Sequence, residues 1–137
     1  TGQGVVILTN SDNGWILIEE IARSVAAEYA WGDYHPMERV SVKPNTSLFS
    51  QFSGDFTVSN TKVRISHDNG HLYITGPPIG PLSVELISAG DYDYFIREKD
   101  VTLHFDSNGS DKIQTLTFVD GRPRKGTRIT QTAPHVD

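Results

Sequence analysis

The chain has 137 residues, 36% of them hydrophobic and 21% charged, with a formal net charge of -5 and no cysteine. Without cysteine there is no disulfide, thiolate nucleophile or thiolate metal site, and the acidic balance argues against a nucleic-acid partner, which needs a basic face to release counterions. No apolar run reaches the roughly 20 residues of a spanning helix, and residues 1–4 lack the positive start of a signal peptide, so any targeting segment is expected to have been removed or to lie upstream.

Four consecutive aliphatics, Val5, Val6, Ile7 and Leu8, open the chain. A strand apolar on both faces belongs inside a sheet covered by helices on each side. After it, Ser11 or Asp12 is expected to cap a helix from Asn13 to Ala30, with Glu19 and Glu20 near its positive end. Ile18, Ile21, Ala22, Val25 and Tyr29 recur at helical offsets and define its apolar face, and Gly32 marks its stop. One helix covers only one side of such a strand. Residues 1–31 are therefore expected to be the last strand and helix of a larger α/β domain, followed by a linker over 32–46 punctuated by Pro36 and Pro44.

Residues 47–137 carry strand chemistry in short runs between turn residues. The expected strands are 54–58, 62–67, 71–76, 82–88, 92–98, 101–106, 112–119 and 126–130, with DNG at 68–70, SNG at 107–109 and DG at 120–121 as hairpin turns. Every connection is short, which favours antiparallel neighbours. Eight such strands close economically into an up-and-down barrel, because closure removes exposed edges, with a two-sheet sandwich as the competing architecture. Residues 47–52 are expected to form a helical turn that plugs the barrel with Leu48, Phe49 and Phe52.

The opening strand followed by LIEEIARSVAAEYAW resembles the closing strand and C-terminal helix of the catalytic domain in beta-lactamase-like serine hydrolases, the penicillin-binding-protein-like and class C-related enzymes. Many of these continue into a C-terminal lipocalin-like domain. The resemblance extends through Phe49, Phe52, Gly54 and Phe56, the DNG-x-Leu hairpin ending at Leu72, the aromatics Tyr92, Tyr94 and Phe95, the pair Phe105 and Asp106, and the closing Arg128 and Ile129. It implies a mainly β chain: an eight-stranded antiparallel lipocalin-like barrel preceded by a strand and helix left from the α/β catalytic domain. It further implies a non-catalytic accessory role in an amide or ester hydrolase, partnered with its own catalytic domain upstream of Thr1, and an extracytoplasmic parent.

The family's catalytic motifs are not carried over. The single Ser-x-x-Lys, Ser59 to Lys62, falls at a strand-to-strand turn, where Lys62 is not held over Ser59 as one helical turn would hold it. No catalytic residue and no cofactor is expected. His67 and His71 flank the DNG turn beside Asp68, but a zinc site needs three or four ligands, and neither His104 nor His135 is placed near them by spacing. The segment DSNGSD, 106–111, is rich in oxygen ligands, yet Thr117 stands where a calcium loop needs its Glu. No metal is expected. An N-terminal Thr1 nucleophile has no double sheet to support it. The basic group Arg122, Arg124, Lys125 and Arg128 reads as a solvated strand edge. Tyr73, Tyr92 and Tyr94 are the ligand-binding candidates if the barrel holds a small molecule, the alternative function being a stand-alone lipocalin-like binding module. Core filling is the expected role of these aromatics. Self-association through Val5, Val6, Ile7 and Leu8 is expected wherever that strand is left uncovered.

Overall fold

The computed structural model describes residues 2–12, 14–32 and 38–130. Two compact units divide the chain, residues 1–39 and 40–137.

In the first unit, residues 2–9 form no strand ladder, and Val6 and Leu8 are 85% and 88% exposed. Among the described residues the expected strand has no neighbouring strand from which to take hydrogen bonds. Helix α1 runs Trp15–Glu28. Its N-cap is Gly14, with no side-chain cap, rather than Ser11 or Asp12. The Gly14 amide instead closes a turn on the Ser11 carbonyl at 3.0 Å, and a Cβ at position 14 would collide with the Thr9 hydroxyl. Because the helix begins at Trp15, Glu19 and Glu20 fall beyond its first turn, which holds no acidic residue. Glu19 takes a hydrogen bond from Arg23, one turn on, at 3.4 Å. Ile21 and Tyr29, expected on the apolar face, are exposed, whereas Ala26 is buried and Ile18, Ala22 and Val25 are half-buried.

The helix ends before Gly32. Trp31 N–H donates to the Ala26 carbonyl at 2.9 Å and Ala30 N–H to Ala27 at 3.4 Å, the paired bonds of a Schellman ending. The left-handed position of that ending is Ala30, at φ 51°. Beyond it, the Trp31 indole N–H donates to the Gln3 side-chain carbonyl at 3.0 Å.

The second unit is a closed barrel of eight antiparallel strands, each paired with its neighbours in sequence and the last with the first. The strands are β1 Gly54–Val58, β2 Thr61–Asp68, β3 His71–Gly76, β4 Gly80–Ser88, β5 Asp93–Phe95, β6 Thr102–Asp106, β7 Thr115–Val119 and β8 Pro123–Arg128. Closure is made by Phe56, Thr57 and Val58 against Arg128, Thr127 and Gly126. The sandwich alternative is thereby excluded.

Turn chemistry sets the register. Ser59 and Asn60 join β1 to β2 with φ 49° and 61°, and Asn69 and Gly70 join β2 to β3 with φ 48° and 78°. Both are two-residue turns with positive φ throughout, matching the twist of the flanking strands. Asp120, Gly121 and Arg122 form the β7–β8 loop, with Gly121 at φ 84°. The β6–β7 connection over 107–114 is longer than the expected SNG hairpin, because Ile113 N–H leaves the ladder for the Gln51 carbonyl at 3.0 Å. Strand β5 is shorter than expected because Ile96 N–H returns to Val101 O at 3.0 Å, which places Arg97 and Glu98 in a turn.

The plug is a 3-10 turn, Thr46–Leu48, running into α2, Phe49–Phe52. Phe49 and Phe52 are buried and Leu48 packs against the core. At the other end Ile79, on the β3–β4 turn, is 1% exposed, and Lys99 Nζ donates to its carbonyl at 2.6 Å. Gly76 at φ 153° lets β3 approach β2, since a Cβ there would stand 2.7 Å from the Lys62 carbonyl.

Candidate functional site

Strand alternation decides which side chains enter the lumen. Phe56 and Val58, Val63 and Ile65, Leu72 and Ile74, Leu103 and Phe105, and Leu116 and Phe118 are buried inward pairs. Phe52 stacks on Phe105 at a centroid distance of 4.2 Å, and Tyr94 meets both rings edge-on at 5.8 and 5.7 Å. The interior is filled by a mixed aliphatic and aromatic core.

Among the ligand-binding candidates, Tyr94 belongs to that core and half-buried Tyr92 packs against it, edge-on to Phe52 at 5.9 Å. The Tyr94 hydroxyl is buried without a hydrogen-bond partner of good geometry, and its burial, against the opposing influence of nearby Ser88, pushes the phenol above its ordinary pKa. Tyr73 alternates with buried Leu72 and Ile74, so it stands on the outer face, 6.5 Å from the His71 ring. The three tyrosines therefore do not line one cavity.

The basic group departs from the sequence reading, because β8 has a partner on both sides and is no edge. Arg128 clasps the plug. Its guanidinium donates to the carbonyls of Gln51 at 2.9 Å, Ser53 at 2.8 Å and Ile113 at 2.5 Å, and lies 4.7 Å over the Phe56 ring. Burial pushes its pKa below the ordinary arginine value. A Cβ at Gly54 would occupy the same space, which is why the neighbouring strand starts with glycine. Arg124 lies over Phe118 at 5.1 Å and pairs with Asp120, while Lys125 reaches Asp106 at 2.6 Å.

Ser59 sits at the tip of the first hairpin, and Lys62 is 2.9 Å from Asp55, not over Ser59. Arg64 holds the same carboxylate in a two-pronged contact at 2.8 and 3.2 Å. These hydrogen bonds, Arg64 first, outweigh the opposing effect of burial and draw the Asp55 carboxyl down to about 2.

The histidines separate. His67 and His71 do not meet across the DNG turn: His67 Nδ1 lies 2.6 Å from the Ser53 hydroxyl at the plug, whereas His71 Nδ1 lies 2.5 Å from Glu85 on β4. The Ser53–His67 contact has the residue types of a nucleophile and its base, but the Ser53 hydroxyl also donates back to the Phe49 carbonyl at 2.8 Å. His104 Nδ1 lies 2.7 Å from Asp93 and its Nε2 3.8 Å from Asp106. Burial alone would raise the Asp106 carboxyl, but bonds from Lys125 and from Thr115 at 2.9 Å win and lower it. Asp106 is thus engaged with two strands and not with a calcium loop. Among the described residues no group of three or more His, Asp or Glu is arranged to hold a metal ion. His135 and Thr1 lie outside the described residues.

One surface feature combines apolar walls with oriented polar groups. A cleft of about 190 Å³ lies between residues 41–44 and the β3–β4 pair, with Val42, Phe49 and Leu86 among its apolar walls and His71, Glu85 and Ser88 among its polar ones. Val42 N–H anchors its outer wall on the Ser88 carbonyl at 2.9 Å. Sequence reasoning missed the cleft and the His71–Glu85 pair. The two residues are brought together by the β3–β4 register, which sets Glu85 opposite Tyr73, and the bulge between Ile74 and Gly76 hides that register from simple turn counting.

No family model, no curated protein and no solved structure matches this chain.

Proposed function

We propose that this chain is the non-catalytic C-terminal part of a beta-lactamase-like serine hydrolase, its barrel serving to shape substrate access or assembly of the parent. One observation carries the reading: Val5, Val6 and Leu8 are exposed in a stretch with no strand partner, beside a helix that leaves Leu17 and Ile21 exposed as well. Exposed aliphatics of that number call for a cover, and a sheet enclosed by helices would supply it. The packed lumen adds support, since an accessory barrel needs a rigid core and a carrier needs room. Ser59 lies at a hairpin tip while Lys62, Ser53 and His67 are engaged in other contacts, which fits a piece that leaves the acyl-serine chemistry to its partner.

Two measurements test this. The encoded polypeptide upstream of Thr1 is expected to carry a Ser-x-x-Lys, a tyrosine motif, and a Lys-Thr-Gly or His-x-Gly; a start codon directly before Thr1 would refute the reading. The purified chain is expected to form no covalent adduct with a fluorophosphonate or a penicillin, and a stoichiometric adduct would refute the non-catalytic role.

A further inference from the structure

The cleft beside His71 supports an inference independent of the hydrolase reading. An ionised carboxylate only accepts hydrogen bonds, so the 2.5 Å contact between Glu85 Oε1 and His71 Nδ1 places the shared proton on Nδ1. In the neutral imidazole this leaves the lone pair on Nε2, and no group of the described residues donates to it. Two other polar groups of the cleft are spoken for. Ser88 donates its hydroxyl to the Gly90 carbonyl at 3.0 Å, and the Ser88 carbonyl receives Val42 N–H. Among the acceptors of the cleft, His71 Nε2 is the one whose availability a neighbouring carboxylate fixes, and Val42, Pro44 and Ile87 line the same cleft.

We propose that this cleft binds a small, neutral, hydroxylated aromatic ring, its face against the apolar walls and its hydroxyl donating to His71 Nε2. Size supports a single ring: the volume of about 190 Å³ slightly exceeds an apolar cavity of about 150 Å³ that accepts benzene. A rigid ring also loses little freedom on binding, which suits a shallow site. The Glu85 carboxylate and the overall charge of -5 disfavour an anion, so the ligand keeps its proton. Glu85 acts as a positioning residue, fixing the tautomer without touching the ligand.

The test is an amide chemical-shift titration of the full chain with phenol, and in parallel with toluene, which fills the same space without a donor. Phenol is expected to give saturable shifts centred on Val42, Phe49, His71, Leu86 and Ser88. His71→Phe is expected to weaken phenol about tenfold, the loss of one hydrogen bond worth roughly 1.4 kcal/mol, and to leave toluene within about twofold. Glu85→Gln is expected to weaken phenol more than toluene and to shift the imidazole nitrogen spectrum from one tautomer toward a mixture. Both side chains are about half exposed, so the variants keep the core, and their retained toluene binding verifies the cleft. Shifts that do not saturate, shifts centred on the lumen residues Tyr94 and Phe105, or equal weakening of both probes in His71→Phe would each overturn the proposal.

Discussion

Arg128 is the residue whose removal reports most directly on how the barrel is closed. In Arg128→Met the aliphatic stem is retained and the fork is lost. Gln51 O keeps a donor, Ile113 N–H at 3.0 Å, whereas Ser53 O and Ile113 O lose the one that Arg128 supplies. Water reaches this partly buried site, so each orphaned carbonyl costs about 1 kcal/mol, the low end of the range. Loss of the guanidinium over Phe56 adds about 1 kcal/mol, and relief of the arginine's own desolvation returns a fraction of that. The sum is about 2–3 kcal/mol, or a fall in Tm of roughly 10–20 °C for a domain of this size. Urea denaturation of wild type, Arg128→Met and Arg128→Lys measures it. The lysine variant is expected to recover less than half, because one ammonium cannot serve three carbonyls from a planar fork. A methionine variant within about 0.5 kcal/mol of wild type would show that the plug is held by Phe49 and Phe52 alone and that the clasp reasoning is wrong.

Three further outcomes are expected. Asp55 has a depressed carboxyl, so its contribution is present above the ordinary carboxylate range and is lost as pH falls toward 2; Asp55→Asn should cost about 1 kcal/mol at neutral pH after allowance for screening at this exposed strand pair, and the gap to wild type should close in acid or high salt. Gly76→Ala should destabilise by about 2–3 kcal/mol in denaturant titrations, since its Cβ meets the backbone carbonyl of Lys62 at 2.7 Å and its φ is unfavourable for alanine. Ala30→Gly should have the opposite sign, stabilising α1 by about 1 kcal/mol through relief of a left-handed alanine, read as a later loss of helical circular dichroism on heating; no change would mean that the Schellman ending is not populated in solution.

The barrel strands were legible because their signals are local. Asn69-Gly70 and Asp120-Gly121 define their turns by chain chemistry alone, and the alternation Val63, Ile65 or Leu103, Phe105 marks one buried face without reference to any other strand. The plug was legible for the same reason, as Phe49 and Phe52 share one face of a single helical turn. The candidate site was not. Tyr73 and Tyr92 are both aromatic residues near strands, yet one stands on the outer face and the other packs against the core. His71 and Glu85 meet only through a register that a bulge displaces.

By itself, then, the amino-acid order determined eight short antiparallel strands, most of their turns and the plug, because each depends on periodicity and backbone preference within about ten residues; closure into a barrel rather than a sandwich was left to the pairing of β1 with β8. Tertiary structure alone decided that Arg128 is a clasp rather than an edge charge, that the helix starts from Gly14, and that His71 and Glu85 meet at the wall of one cleft. Those features come from residues far apart in the chain, such as Gln51 and Arg128, whose meeting is fixed by closure of the sheet and by nothing in their local sequence.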